Sequence, residues 1–142
     1  MTLPLSPAEL EDLKALAGAM IPASDAHGVP GADDAQIFAG ISRGAGPSSE
    51  ALRRLTATFG EAPGGLAGLD RKALEARLVQ TGGPDVSALY ALVLMQYYRD
   101  DRVMTALGLE PRPPFPLGHP LEEGDPSLLD PVKARTPFWR PA

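Results

Sequence analysis

The sequence predicts an all-α protein: a small bundle of about five to six helices over residues 1–108, followed by a long, extended, proline-rich arm over residues 109–142. Apolar residues recur at helical spacing through the first segment. Capping residues and Gly or Pro breaks divide that segment into successive helices. No stretch shows the alternation of apolar and polar residues that is typical of a half-buried strand.

The first helix has a clear beginning and end. Ser6 is a capping residue, Pro7 suits the first helical position, and Glu9 completes a capping box with Ser6. Pro22 ends the helix. The apolar stripe between these limits consists of Leu10, Leu13, Leu16, Ala17, Met20 and Ile21. This spacing predicts one face turned toward a core.

The next two helices are shorter. Asp33 and Asp34 mark the start of the second helix, and the glycines and proline at 44–47 break it. Ser48 and Ser49 open the third helix, and a glycine-rich connection follows at 60–68. The predicted apolar faces of these two helices are Ile37, Phe38 and Ile41, and then Leu52, Leu55 and Phe59.

The fourth helix begins at Asp70 and stops at Gly82. Its predicted apolar residues are Leu74, Leu78 and Val79. The fifth helix, at about 84–98, is apolar around most of its circumference, which predicts burial by its own bundle or by the bundle together with a partner. Asp100 or Asp101 caps a short sixth helix that ends at 107–108.

The arm has an unusual composition. Nine of the chain's 16 prolines fall in residues 109–142, a density that excludes long helices and favours extended backbone. Unlike a disordered linker, the arm is also rich in large apolar residues: Phe115, Leu117, Leu121, Leu128, Leu129, Val132, Phe138 and Trp139. Such a segment needs a surface to lie on, either its own bundle or another protein.

Charge and composition exclude several classes of function. The net charge is −5 and no basic block is present, which disfavours nucleic-acid binding. No apolar run reaches the roughly 18 to 20 residues that span a bilayer. The chain has no cysteine, so disulfides and thiolate chemistry are excluded. Residues 1–6 show no export signal, and a cytoplasmic location is expected.

The inventory of chemically reactive residues is sparse. His27 and His119 are the two histidines, and neither has a second metal ligand at helical or hairpin spacing. The glycines at 44–49 lack the Gly-Lys-Ser/Thr ending of a phosphate-binding loop. The acidic pairs at 33–34 and 100–101 are best explained as helix caps. We therefore predict no catalytic, cofactor-binding or metal-binding residues in this chain.

Several segments together resemble the gluconate 2-dehydrogenase subunit 3 family. Residues 16–25 read Leu-Ala-Gly-Ala-Met-Ile-Pro-Ala-Ser-Asp, similar to the family's helix and Ile-Pro-Ala-x-Asp turn. A glycine-rich loop and an acidic helix start follow at 28–34. The tyrosine pair at 97–98, the short helix through 108 and the proline-aromatic tail are also similar to the family's pattern.

The resemblance implies a role as an accessory subunit. Members of this family pair with a large flavoprotein of the glucose-methanol-choline oxidoreductase type, whose own chain holds FAD and the catalytic base. The small subunit assists folding and stability of that partner and contributes no catalytic residue. Several exported members carry a twin-arginine signal, which this sequence does not show.

We expect the arm and an exposed face of the fifth helix to bind the large subunit, with the arm reaching and shaping the substrate entrance. The predicted partner-binding residues are Tyr97, Tyr98, Pro113, Pro114, Phe115, Pro116, His119, Phe138, Trp139 and Arg140. Large aromatic residues that fill pockets dominate interface energies, so Phe115, Phe138 and Trp139 are the expected anchors.

Two alternatives remain open at this point. The chain could be a free-standing helical binding module, as a homodimer whose arm folds back on its own bundle, with no flavoprotein partner. It could also be an autonomous enzyme that acts through His119 and nearby carboxylates, which the sparse inventory makes the weakest interpretation.

Overall fold

The computed structural model describes residues 4–59, 65–113, 115, 116, 118 and 124–135. Within these residues every regular element is a helix, and the one strand-like pairing is a single antiparallel bridge between Ser24 and Val29. The all-α class predicted from the sequence is confirmed. Contacts within the chain divide it into two units, residues 1–111 and residues 112–142.

The first unit contains six α-helices within its described residues. They are α1 (Pro7–Met20), α2 (Ala35–Gly44), α3 (Ser49–Phe59), α4 (Arg71–Thr81), α5 (Gly83–Tyr97) and α6 (Asp101–Ala106). Two 3-10 turns lie between them, at Gly46–Ser48 and Leu66–Gly68. Helix α5 packs against α2 and α3, and α1 packs against α4 and the Leu66–Gly68 turn.

Short-range capping sets most of the helix starts. The Glu9 backbone N–H donates to the Ser6 hydroxyl over 3.3 Å, and the Ser6 N–H donates to the Glu9 carboxylate over 2.7 Å, which completes the predicted capping box. Asp34, Asp70 and Asp100 cap α2, α4 and α6 through their carboxylates. The helix start predicted at Asp70 and the cap predicted at the 100–101 pair are confirmed, and at the 33–34 pair Asp34 is the residue that caps.

The core of the first unit is formed by one face of each long helix. Its largest fully buried side chains are Leu13, Leu16, Ile41, Leu52, Leu55, Leu66, Leu74, Leu89, Val93 and Val103. Phe38 and Phe59 are partly buried against this cluster. The apolar faces predicted for α1, α2 and α3 therefore do form the core.

Val79 differs from the prediction. Its side chain is 83% exposed, although the sequence placed it on the apolar face of α4. Leu74 and Leu78, four positions apart, lie on one face of the helix and are buried. Val79 is one residue further on, a rotation of about 100° that turns it away from the core.

The Leu66–Gly68 turn lies in a segment that was predicted to be only a glycine-rich connection. The Asp12 carboxylate of α1 accepts hydrogen bonds from the backbone N–H groups of Leu66 and Ala67, over 2.7 and 3.1 Å. These bonds hold the turn against α1 and bury Leu66 completely. Gly65 precedes the turn at φ +69°, a conformation that favours glycine.

In the second unit, residues 126–133 are helical where the sequence predicted extended chain. A 3-10 turn spans Pro126–Leu129, and the four-residue helix α7 spans Asp130–Lys133. Each of these helices has a proline in its first turn, where the missing N–H would have no helical partner. Prolines at this spacing therefore begin short helices here.

Among the described residues, no helix combines the length and apolar character needed to cross a bilayer.

Candidate partner-binding surface

One face of α5 is uncharged and exposed. Ala91, Leu94, Met95 and Tyr98 lie at three- and four-residue spacing, so they share one side of the helix, which we call the α5 stripe. Met95 and Tyr98 are 58% and 53% exposed, and Leu94 is 38% exposed. The opposite side of α5 carries the core residues Val86, Leu89, Leu92, Val93 and Tyr97.

The α5 stripe explains why the sequence of this helix is apolar around most of its circumference. The bundle buries one face of α5, and none of the described helices of the first unit covers the stripe. Met and Tyr are enriched in protein interfaces, and charged residues are depleted at interface centres. A stripe of this composition is therefore suited to contact with another protein.

A cleft of about 390 Å³ adjoins the stripe at Tyr98. It is formed by the end of α1, the loop between α1 and α2, the end of α5, and α6. Its lining residues are Ile21, Pro22, Ser24, His27, Val29, Tyr97, Tyr98, Val103, Ala106 and Leu107. Since Tyr98 belongs to both the stripe and this Tyr98 cleft, the two form one continuous surface.

Tyr97 fixes one wall of the cleft from inside the bundle. Its hydroxyl donates a hydrogen bond of 3.0 Å to the backbone carbonyl of Pro30, and its ring meets the Tyr98 ring edge to face at 5.5 Å between centroids. Burial raises the pKa of the Tyr97 hydroxyl, and the neighbouring Tyr98 and Asp100 act in the same direction. Tyr97 is thus a neutral donor that joins α5 to the loop.

The loop between α1 and α2 is also held by its own backbone. Ser24 and Val29 form the antiparallel bridge, with hydrogen bonds of 3.0 and 3.1 Å, around the turn at Gly28. The Ala32 N–H donates to the Ile21 carbonyl over 2.8 Å. Both ends of the loop are therefore fixed next to the cleft.

An ion-pair cluster beside the cleft joins the starts of α2 and α6. The Arg102 guanidinium contacts the Asp34 carboxylate at 2.7 Å and the Asp100 carboxylate at 2.9 Å. Hydrogen bonds from Arg102 lower the pKa of both aspartates, and the same bonds raise the pKa of Arg102. The Asp100 side chain is only 3% exposed, so its charge is matched inside the fold.

The residues predicted to bind a partner fall into three groups. Tyr97 is buried, so of the tyrosine pair it is Tyr98 that offers ring surface to solvent. The second group consists of Pro113, Phe115 and Pro116, which are exposed in the second unit, and Phe115 is 85% exposed. The third group lies outside the described residues and consists of Pro114, His119, Phe138, Trp139 and Arg140.

Sequence reasoning named an exposed face of the fifth helix but did not identify Leu94 and Met95 as its members. Their spacing from Tyr98 could have identified them, because residues three and four positions before an exposed tyrosine lie on the same face of a helix. The Tyr98 cleft could not be read from the sequence, since its walls come from segments about 70 residues apart along the chain.

Within the described residues, no group of His, Cys, Asp or Glu is arranged to hold a metal ion. His27 is exposed at the edge of the cleft, and its backbone N–H donates to the Ser24 carbonyl over 3.3 Å. This part of the chain presents an exposed apolar stripe and a cleft with a polar edge.

The segments that carry the family resemblance meet around this surface. Ile21, Pro22 and Ser24 come from the first segment, Val29 from the second, and Tyr97, Tyr98, Val103 and Leu107 from the third. Comparison with protein-family models, with curated proteins and with solved structures found no match to the chain.

Proposed function

We propose that this chain is the non-catalytic small subunit of a flavin-dependent sugar or alcohol dehydrogenase, which stabilises a large FAD-holding subunit and assists its folding. The observation that supports this proposal is the continuous surface formed by the α5 stripe and the Tyr98 cleft. The residues that resemble the gluconate 2-dehydrogenase subunit 3 family lie around that same surface.

The stabilising effect follows from burial of the apolar surface. Removing apolar area from water contributes about 25 cal/mol per Å², so covering the α5 stripe favours the complex. A protein that binds only the folded form of its partner shifts the partner's folding equilibrium toward that form. The small subunit needs no reactive group of its own to act in this way.

The arm extends the proposal. We propose that residues 109–142 lie on the large subunit, with Phe115, Phe138 and Trp139 as anchors, and reach the substrate entrance. Prolines restrict the free arm and so lower the ordering cost of binding. A chain truncated after residue 108 then loses complex stability and changes substrate preference. If the truncation lowers the stability of the complex but leaves its substrate preference unchanged, the arm does not shape the substrate entrance.

The central experiment is purification of the tagged full-length chain from its own host, with mass spectrometry of the co-purified protein and fluorescence of the cofactor released from it. The expected partner is a large subunit of the glucose-methanol-choline type that holds FAD, and the complex is expected in the cytoplasmic fraction. A homodimer that carries no flavin and uses the α5 stripe as its own interface would contradict the proposal.

A further inference from the structure

A second, smaller pocket of about 170 Å³ lies between α2 and the end of α5. Its lining residues are Gln36, Ile37, Gly40, Arg43, Gln96, Arg99 and Asp100. One water molecule occupies about 30 Å³ of liquid, so the pocket holds a few waters or one small polar group. The pocket is smaller than the roughly 300 Å³ at which sites for drug-sized ligands begin.

Arg43 and Arg99 are exposed in this pocket without a carboxylate partner among the described residues. Every other arginine of residues 4–59 and 65–111 has an ion-pair or hydrogen-bond partner; these are Arg53, Arg54, Arg71, Arg77 and Arg102. Each guanidinium presents five N–H donors in a planar fork that fits carboxylate or phosphate oxygens. Two such groups with open donors therefore share one pocket.

The Gln96 amide lies against α2 in the same pocket. A Cβ atom added to Gly40 would lie 3.0 Å from Gln96 Oε1, and one added to Gly44 would lie 3.3 Å from Gln96 Nε2. Because neither glycine has a side chain, the amide of α5 can approach α2 closely. Gln36 supplies a second amide, at the start of α2. The pocket thus combines charged and neutral N–H donors.

Asp100 is the acidic residue in the lining, and its charge is already matched. Its two carboxylate oxygens accept hydrogen bonds of 2.9 Å each from the Arg102 side chain, and one also accepts the Arg102 backbone N–H over 3.0 Å. Arg102 also pairs with Asp34. The charged residues of the pocket lining itself are thus two guanidiniums and one carboxylate that is already paired, in a chain whose net charge is −5.

We propose that this Arg43–Arg99 pocket is an oxyanion-binding site that takes a single phosphate or carboxylate group, held between the two guanidiniums with the glutamine amides as further donors. This site is independent of the proposed accessory role. All of its residues belong to this chain, so an anion can bind there without any flavoprotein. A free carboxylate anion and an acidic side chain of a partner present the same group to this pocket.

The test uses the full-length chain alone, titrated separately with inorganic phosphate and with acetate while amide NMR signals of Gly40, Gly44 and Gln96 are followed. Saturable shifts with a Kd in the millimolar range are expected, and binding should weaken with added NaCl because salt screens exposed charges. If phosphate binds more tightly than acetate, the ligand of this site carries a phosphate group. If acetate binds more tightly, the ligand carries a carboxylate group. Absence of saturable shifts with both anions would overturn the proposal.

Arg43→Gln and Arg99→Gln are each expected to weaken binding about three- to tenfold, the range between an exposed ion pair and a charge-assisted hydrogen bond. Lys72→Gln is the matched control, because it removes the same charge from an exposed position on α4, away from the pocket. Arg43→Lys keeps the charge but not the planar fork, and should be intermediate. An equal loss in the three Gln variants, with no loss in Arg43→Lys, would reduce the effect to net charge and overturn the site.

Discussion

The hydroxyl of Tyr97 donates to the carbonyl of Pro30 over 3.0 Å, across 67 positions of sequence. This bond joins the end of α5 to the loop between α1 and α2, and so connects two walls of the Tyr98 cleft. The Tyr97 ring is buried and the Tyr98 ring is half exposed, although the two residues are adjacent in the chain.

Tyr97→Phe should lower the free energy of unfolding by about 1 kcal/mol, because one hydrogen bond is lost and the Pro30 carbonyl loses its partner. Urea unfolding followed by circular dichroism measures the change. Tyr90→Phe is the control, since the Tyr90 hydroxyl has no hydrogen-bond partner among the described residues and its ring is also partly buried. Equal effects of the two substitutions would contradict the role given to the Tyr97 hydroxyl.

Stability should fall as the pH drops from about 4.5 to about 2, because Glu9 titrates there. The Ser6 backbone N–H and the Arg53 guanidinium lower the pKa of Glu9 from 4.5 to about 2. A carboxyl group whose folded pKa is depressed contributes stability above its unfolded pKa and loses that contribution as the pH falls through the folded pKa. Unfolding measured across this pH range checks the prediction.

Glu9→Gln should reduce that pH dependence, because it removes the carboxylate that Arg53 and the Ser6 N–H stabilise. Stability at pH 7 should fall by about 1 kcal/mol or less, since Gln can still complete the capping box and the ion pair with Arg53 is what is lost. Glu11→Gln makes the same charge change two residues away, at an exposed position. Its unfolding curve should follow the wild-type pH dependence between pH 4.5 and 2. A Glu11 variant that behaves like the Glu9 variant would disprove the assignment.

Met95→Glu should disrupt the proposed complex without unfolding the chain, because it places a charge at the centre of the α5 stripe. Charges buried without a partner at interfaces cost several kcal/mol. Val79→Glu is matched to it, since Val79 is an even more exposed apolar residue on a different helix. Co-purification of the flavoprotein should be lost in the first variant and retained in the second, with both melting as wild type.

Phe138→Ala together with Trp139→Ala tests the proposed arm anchors. Truncating an interface anchor typically costs about 2 kcal/mol or more for each residue, so co-purification should fall sharply. Leu128→Ala is an informative comparison, because Leu128 is an exposed apolar residue of the same arm that was not predicted as an anchor. Unaltered co-purification of the double variant would place the interface elsewhere.

The features predicted correctly from the sequence are those that depend on neighbouring residues. Ser6 with Glu9, and the caps Asp34, Asp70 and Asp100, act within three positions along the chain, where residue type and spacing carry the information. The core faces of α1 to α3 also followed from helical periodicity.

Contacts between distant segments could not be predicted in the same way. Asp12 lies in α1, yet its carboxylate accepts hydrogen bonds from a turn that begins 54 positions further along the chain. Arg102 and Asp34 are 68 positions apart, and Arg43 and Arg99 meet at one pocket through the packing of α2 on α5. No spacing rule connects such pairs, because their proximity depends on tertiary packing.

The loop at the edge of the Tyr98 cleft is closed on itself by the Ser24–Val29 bridge and anchored by the Ile21 carbonyl and the Tyr97 hydroxyl. A partner that inserts a side chain there, as proposed, would meet a loop whose backbone is already held by these hydrogen bonds. Little conformational entropy remains to be lost, so more of the contact energy appears as affinity. Shape selectivity follows as well, because a cleft that cannot adapt will reject side chains that it does not fit.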